Sequence, residues 1–251
     1  WLGRSQYEGG ELKDHYERRE GLFHVEPTFS LMNLFTSKTN AKDLDHQMKN
    51  VWRLGHSFGD RYHCAFQYPR RVCLSGTPLN ESLVALHQII PKFQKENGVE
   101  KTQCIVLTDG EAHQLPYDKE VNRSWEDHPY LGTRNVSPDL TTIRDRKLGT
   151  TYRFGYGYHQ FTDCLLTNLK DNFPSVNFIG IRVLQKKDGM RFARMYYSEY
   201  DKAFTPIEKD WRRTKTFVIK NSGYDAYFAM CSNNLADDSE FDVDHDATKA
   251  Q

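Results

Sequence analysis

Long apolar runs, excess charge and paired cysteines are all missing from this sequence. No hydrophobic stretch approaches the roughly 20 residues of a membrane helix, so the sequence predicts no membrane span. The 34 basic and 34 acidic side chains cancel, which leaves no electrostatic case for nucleic acid or an anionic membrane as a partner. The five cysteines are scattered and form no Cys-x-x-Cys pair, a usage that favours a reducing, cytoplasmic setting.

Several catalytic signatures are missing as well. The chain has no Gly-x-Ser-x-Gly elbow, no Walker-type phosphate loop and no His-Glu-x-x-His pair. The sequence therefore predicts no catalytic residue. A looser group of metal-ligating side chains keeps a metal-dependent hydrolase or peptidase open as the alternative; its members are Glu111, His113, Asp118 and His128.

The most informative stretch that is present is an apolar run, residues 104–111, which reads CIVLTDGE. Such a run predicts a buried parallel strand that delivers Asp109 to the carboxyl end of a sheet, where open α/β folds bind their ligands. Upstream, Thr77 and Pro78 precede apolar residues at helical spacing, and Asn97-Gly98 follows them. This pattern predicts a helix with Thr77 as its N-cap, followed by a parallel strand.

Hydrophobic periodicity predicts further elements on both sides of this unit. Predicted helices cover 41–54, 161–172 and 190–200, and predicted strands cover 23–35, 63–68, 176–184, 216–220 and 224–230. No regular pattern runs through residues 112–160, which we interpret as a long insertion. Because it follows Asp109 directly, the insertion is the expected specificity element.

The order Ser-Gly-Thr, amphipathic helix, apolar strand and Thr-Asp-Gly resembles the von Willebrand factor A (vWA) family. With Leu31-Met32-Asn33 and residues 47–53 (QMKNVWR), it resembles the cobaltochelatase CobT-like vWA proteins of T-even-like tailed phages over about residues 20–235. The resemblance implies a Rossmann-like α/β fold, with a doubly wound, mostly parallel sheet and helices on both faces. The expected organisation is a lead-in (1–22), a vWA-like domain (23–235) and an acidic tail (236–251).

The same resemblance implies a MIDAS-type Mg²⁺ site, or a Mn²⁺ site, with Thr77, Asp109 and Ser75 as ligands. The family's main metal-binding loop, Asp-x-Ser-x-Ser at the end of the first strand, does not occur in residues 1–251. We therefore expect the first strand and helix to precede residue 1. A metal site that has degenerated is the alternative.

The implied function is that of an adaptor: a metal-dependent protein-interaction module that works with a MoxR-type AAA+ ATPase or its protein substrate. A direct role as a chelatase subunit is the enzymatic alternative. The expected partner-binding residues are Glu111, Trp125 and Arg153, on the rim of the metal site and in the insertion. The expected location is the cytoplasm, that of the host if the protein is phage-encoded.

Overall fold

The computed structural model describes residues 7–8, 11–12, 17–25, 29, 31–59 and 76–235. The chain divides into two compact units. Unit 1 combines the residues up to 85 with 112–141, and unit 2 combines 86–111 with the residues from 142 onward. This division runs through the region expected to form one domain. It also divides the expected insertion between the two units.

Helices and short strands alternate along the described residues. The helices are α1 (Ala41–Gly59), α2 (Leu79–Asn97), α3 (Tyr158–Asn172), α4 (Gly189–Ala193) and α5 (Phe204–Thr214), with a 3₁₀ turn at Ser232–Leu235. No helix in these ranges has the length and apolar composition needed to span a membrane. The strands are β1 (Tyr7–Glu8), β2 (Glu11–Leu12), β3 (Thr102–Thr108), β4 (Tyr117–Val121), β5 (Tyr130–Arg134), β6 (Ile143–Arg144), β7 (Thr151–Tyr152), β8 (Val176–Leu184), β9 (Thr216–Ile219) and β10 (Ala226–Cys231).

Unit 2 is built on a four-stranded sheet in the order β3-β8-β10-β9. The first three strands are parallel, and β9 runs antiparallel to β10. The α/β class and the mostly parallel sheet are thus confirmed. Gly180 lies at the centre of β8, where a Cβ atom would come within 2.6 Å of the Tyr227 ring. Only glycine therefore lets this tyrosine lie across the sheet.

One face of this sheet carries the core of unit 2. Phe178 is fully buried on it, as are the neighbouring side chains of β8 in the same phase. Helices α4 and α5 cover this face near β9 and β10. Trp211 of α5 packs edge-on against Phe217, and Phe192 of α4 packs edge-on against Tyr227. Each such aromatic pair removes a large apolar area from water, which makes this face the main source of stability in unit 2.

The opposite face of the same sheet is exposed. Its apolar side chains include Ile105 (59% exposed), Leu107 (66%), Val218 (43%) and Phe228 (40%). Within the described residues of unit 2, helices therefore cover one face of the sheet, whereas the sequence led us to expect helices on both. Among the described strands, β3 is also an edge strand with no neighbour on its outer side.

Unit 1 contains an antiparallel hairpin, β4–β5, with β4 joined to the N-terminal part of the chain. Phe23 forms a β-bridge with Tyr117. Asp118, which is fully buried, accepts a hydrogen bond of 2.8 Å from Nη2 of Arg18 and lies 3.3 Å from Nδ1 of His24. The region expected to be a patternless insertion thus contains ordered strands, β4 and β5 in unit 1 and β6 and β7 in unit 2.

Most of the predicted elements occur with shifted boundaries. Strand 176–184 is confirmed at both ends, and the apolar run before Asp109 forms the predicted strand as β3. The helix predicted over 190–200 ends at Ala193, and α5 was not predicted. No strand runs through the described part of 23–35. The strand predicted over 63–68 lies outside the described residues.

Candidate functional site

The carboxyl ends of the parallel strands of unit 2 border a cleft of about 490 Å³. Asp109 and Glu111, which follow β3, line one side of it, and Arg182 near the end of β8 lines another. Phe192 of α4 and the nearby Met195 add an apolar wall. Ligands of open α/β sheets bind at this position, so the cleft is the first candidate for a functional site in unit 2.

Asp109 stands at the mouth of this cleft with an exposed side chain. Its turn is fixed locally, because the Thr108 hydroxyl donates to the Gly110 carbonyl (3.0 Å) and accepts from the Gly110 N–H (3.2 Å). Among the described residues, the Asp109 carboxylate has no hydrogen-bond or ion-pair partner. It is therefore chemically able to bind a cation without losing an internal contact.

The two hydroxyl residues predicted to share the metal with Asp109 lie upstream. Thr77 belongs to unit 1 and precedes α2, after the positive-φ residue Gly76 (φ 72°). Helix α2 begins at Leu79, one residue later than a helix with Thr77 as its N-cap would begin. Ser75 lies outside the described residues. Ligation of one metal by these residues and Asp109 stays a prediction.

The second group of candidate metal ligands divides between the units, with Glu111 in unit 2 and His113, Asp118 and His128 in unit 1. No cluster of three or more His, Cys, Asp or Glu side chains suited to a metal occurs among the described residues. Asp118 instead forms the buried contacts with Arg18 and His24 described above, and the guanidinium of Arg18 lowers the pKa of this carboxyl group. The negative charge of Asp118 is thus balanced by contacts within unit 1.

Glu111 is partly buried beside an arginine that the sequence analysis overlooked. Arg182 is 7% exposed, and its Nη2 lies 3.2 Å from Oε1 of Glu111. The guanidinium carbon also lies 5.4 Å from the centre of the Phe192 ring. Arg182 interrupts an apolar strand at a position in phase with the buried residues of that strand. This pattern could have indicated a partner for Arg182, since arginine is rarely buried without one.

Buried tyrosines adjoin the cleft on the core side of the sheet. Burial raises the pKa values of Tyr196, Tyr224 and Tyr227, so that these phenols stay protonated at neutral pH. Burial also raises the pKa of Asp163, although its Oδ1 accepts a hydrogen bond of 2.7 Å from the Gly223 N–H. These groups serve as hydrogen-bonding core residues next to the cleft.

The two other predicted partner-binding residues are exposed but lie in different units. Trp125 lies between β4 and β5 of unit 1 and is 76% exposed. The Arg123 guanidinium lies 5.6 Å from the Trp125 ring centre and 5.7 Å from that of Tyr130, so the three form a cation–π group. Arg153 lies in unit 2, where its backbone carbonyl accepts from the Cys164 thiol at 3.1 Å.

The fold and the cleft define an α/β protein with a mostly parallel sheet and a cleft at the carboxyl ends of its strands. No family model, curated protein or solved structure matches the chain. Membership of the vWA family therefore stays a prediction from the sequence motifs.

Proposed function

We propose that this protein is a metal-dependent protein-interaction module of the CobT-like vWA type. In this proposal Thr77, Asp109 and Ser75 are ligands of Mg²⁺ or Mn²⁺, and the module works with a MoxR-type AAA+ ATPase. The observation that carries the proposal is the carboxylate of Asp109 at the carboxyl end of β3, which has no partner among the described residues. Mg²⁺ prefers hard oxygen ligands, few carboxylates and several retained waters, and one exposed aspartate is compatible with that preference.

The outer edge of β3, which pairs with no other described strand, supports the same proposal. A further parallel strand paired with this edge would run about 4.8 Å from β3 and would end beside Asp109. A helix connected to that strand would bury the exposed side chains of Ile105 and Leu107. We propose that a strand and helix of this kind carry the Asp-x-Ser-x-Ser loop and complete the metal site.

The test is metal binding by a protein extended upstream to include that loop. We expect calorimetry to detect Mg²⁺ or Mn²⁺ binding to the extended protein and much weaker binding to residues 1–251. Asp109→Ala should abolish binding without unfolding the protein. Asp188→Ala is the matched control, because Asp188 lines the same cleft but is not a proposed ligand. Equal metal affinity in the extended wild type and its Asp109→Ala variant would remove this site from consideration.

A further inference from the structure

Arg182 has an incomplete set of contacts for a buried charge. Its side chain is 9% exposed, and its buried Nε has no hydrogen-bond partner among the described residues. The Oε1 atom of Glu111, 3.2 Å from Nη2, is likewise buried without a hydrogen bond. The two side chains attract each other across this distance, but these two buried atoms have no hydrogen-bond partner among the described residues.

Leaving such groups unsatisfied is costly. A buried donor without a partner destabilises the fold, and more so when it is charged. A guanidinium presents its N–H donors as a fork that matches the two oxygens of a carboxylate. Because Arg182 lines the cleft, a ligand entering there can approach its guanidinium group.

We propose that Arg182 is the anchor of an oxyanion subsite that binds the carboxylate of an acidic peptide side chain. The choice of a peptide rests on the proposed interaction function, whereas the anion chemistry rests on Arg182 itself. In this proposal Glu111 is the resident counter-ion that keeps the guanidinium in position while the cleft is empty. The incoming carboxylate engages the guanidinium fork of Arg182.

The charges of the cleft favour a carboxylate over a phosphate. Asp109, Glu111 and Asp188 contribute three negative charges, and Arg182 and Arg191 contribute two positive charges. The net negative charge of these side chains would repel a doubly charged phosphate more strongly than a carboxylate. A single carboxylate carries less charge, and its aliphatic stem can pack against the apolar wall of Phe192 and Met195.

The Nε–H signal of Arg182 in a ¹⁵N-resolved NMR spectrum tests the subsite directly. The probe is the peptide Ac-Ala-Glu-Ala-NH₂, added to the full chain in EDTA so that no metal takes part. We expect the glutamate peptide to shift the Nε–H signal at millimolar concentration, as suits a single ion-pair contact. The matched peptide with glutamine in place of glutamate should leave the signal unchanged. Inorganic phosphate should shift it less than the glutamate peptide does.

Two variants separate binding from structural support. Arg182→Lys keeps the charge but removes the fork, and we expect it to weaken peptide binding at least about tenfold. Glu111→Gln removes the resident negative charge and should strengthen binding several-fold. Binding that is unchanged or weaker in Glu111→Gln would overturn the proposal even if Arg182→Lys failed to fold.

The remaining outcomes are equally decisive. A signal unmoved by the glutamate peptide, or moved equally by both peptides, would show that Arg182 has only a structural role. A larger response to phosphate would overturn the assignment to an acidic peptide. Because EDTA is present throughout, the subsite can fail while metal binding by the extended protein succeeds, and the reverse outcome is equally distinguishable.

Discussion

Two phenylalanines on the central sheet provide a direct test of its one-sided burial. Phe178 is fully buried on the core face, whereas Phe228 is 40% exposed on the other face. Phe178→Ala should leave a cavity and cost about 3 to 5 kcal/mol of unfolding free energy. Phe228→Ala removes a side chain that is only partly shielded and leaves no enclosed cavity, so its expected cost is about 1 to 2 kcal/mol.

Equilibrium urea unfolding, followed by far-ultraviolet circular dichroism, measures both values. The same residue type is removed in each variant, so the comparison isolates the environment of the side chain. We expect the midpoint to fall much further for Phe178→Ala, with similar slopes for both variants. Equal losses would contradict the reasoning, because they would mean that Phe228 is as well packed as Phe178. In a protein extended by the proposed strand and helix, the cost of Phe228→Ala should rise.

Two further predictions concern unit 1. Asp118→Asn should cost roughly 1.5 to 3 kcal/mol at neutral pH, since it replaces the charged acceptor of the buried hydrogen bond from Arg18 by a neutral amide oxygen. The pKa of Asp118 in the folded protein lies below its ordinary 3.8, so this stabilisation is present above that pH and is lost as the pH falls through the folded pKa. Urea unfolding across this range should show the wild-type advantage shrinking in acid, and a pH-independent difference from Asp118→Asn would refute the assignment; the exposed Asp127→Asn is the control. Trp125→Ala should change the melting temperature little, because the ring is 76% exposed, but should weaken capture of an AAA+ partner or its substrate by about 1 to 3 kcal/mol in a titration. A large loss of thermal stability with unchanged capture would make the residue structural.

The central strands could be predicted from the sequence because their signals are local. Residues 176–184 are mostly apolar and include β-branched side chains, with Asn177 and Arg182 as polar interruptions, and the run that ends at Thr108 is also mostly apolar. Burial on at least one face follows from such composition. Which face is covered depends on segments distant in the chain, and no periodicity in β3 or β8 reports that. The exposure of Leu107 was therefore beyond sequence reasoning.

The candidate functional site could be predicted only in part. Asp109 follows a strong strand signal, and its location at the carboxyl end of β3 was expected. The partner of Glu111 was missed because Arg182 lies 71 residues further along the chain, and only the pairing of β3 with β8 brings the two together. The hairpin β4–β5 was missed because its strands contain mostly polar residues, such as Lys119 and Glu120.

Measurements of unfolding free energy and of metal binding can separate two proposals: that a further strand and helix cover the exposed sheet face, and that they complete a metal site. An edge strand with unpaired backbone groups and an apolar face is normally covered in a native protein, since both features promote association. A strand and helix that cover them should raise the free energy of unfolding whatever loop they carry. Only a loop with acidic and hydroxyl ligands should also produce metal binding beside Asp109. Greater stability without metal binding would mean that the added strand and helix cover the sheet but that the protein interacts with its partners without a metal.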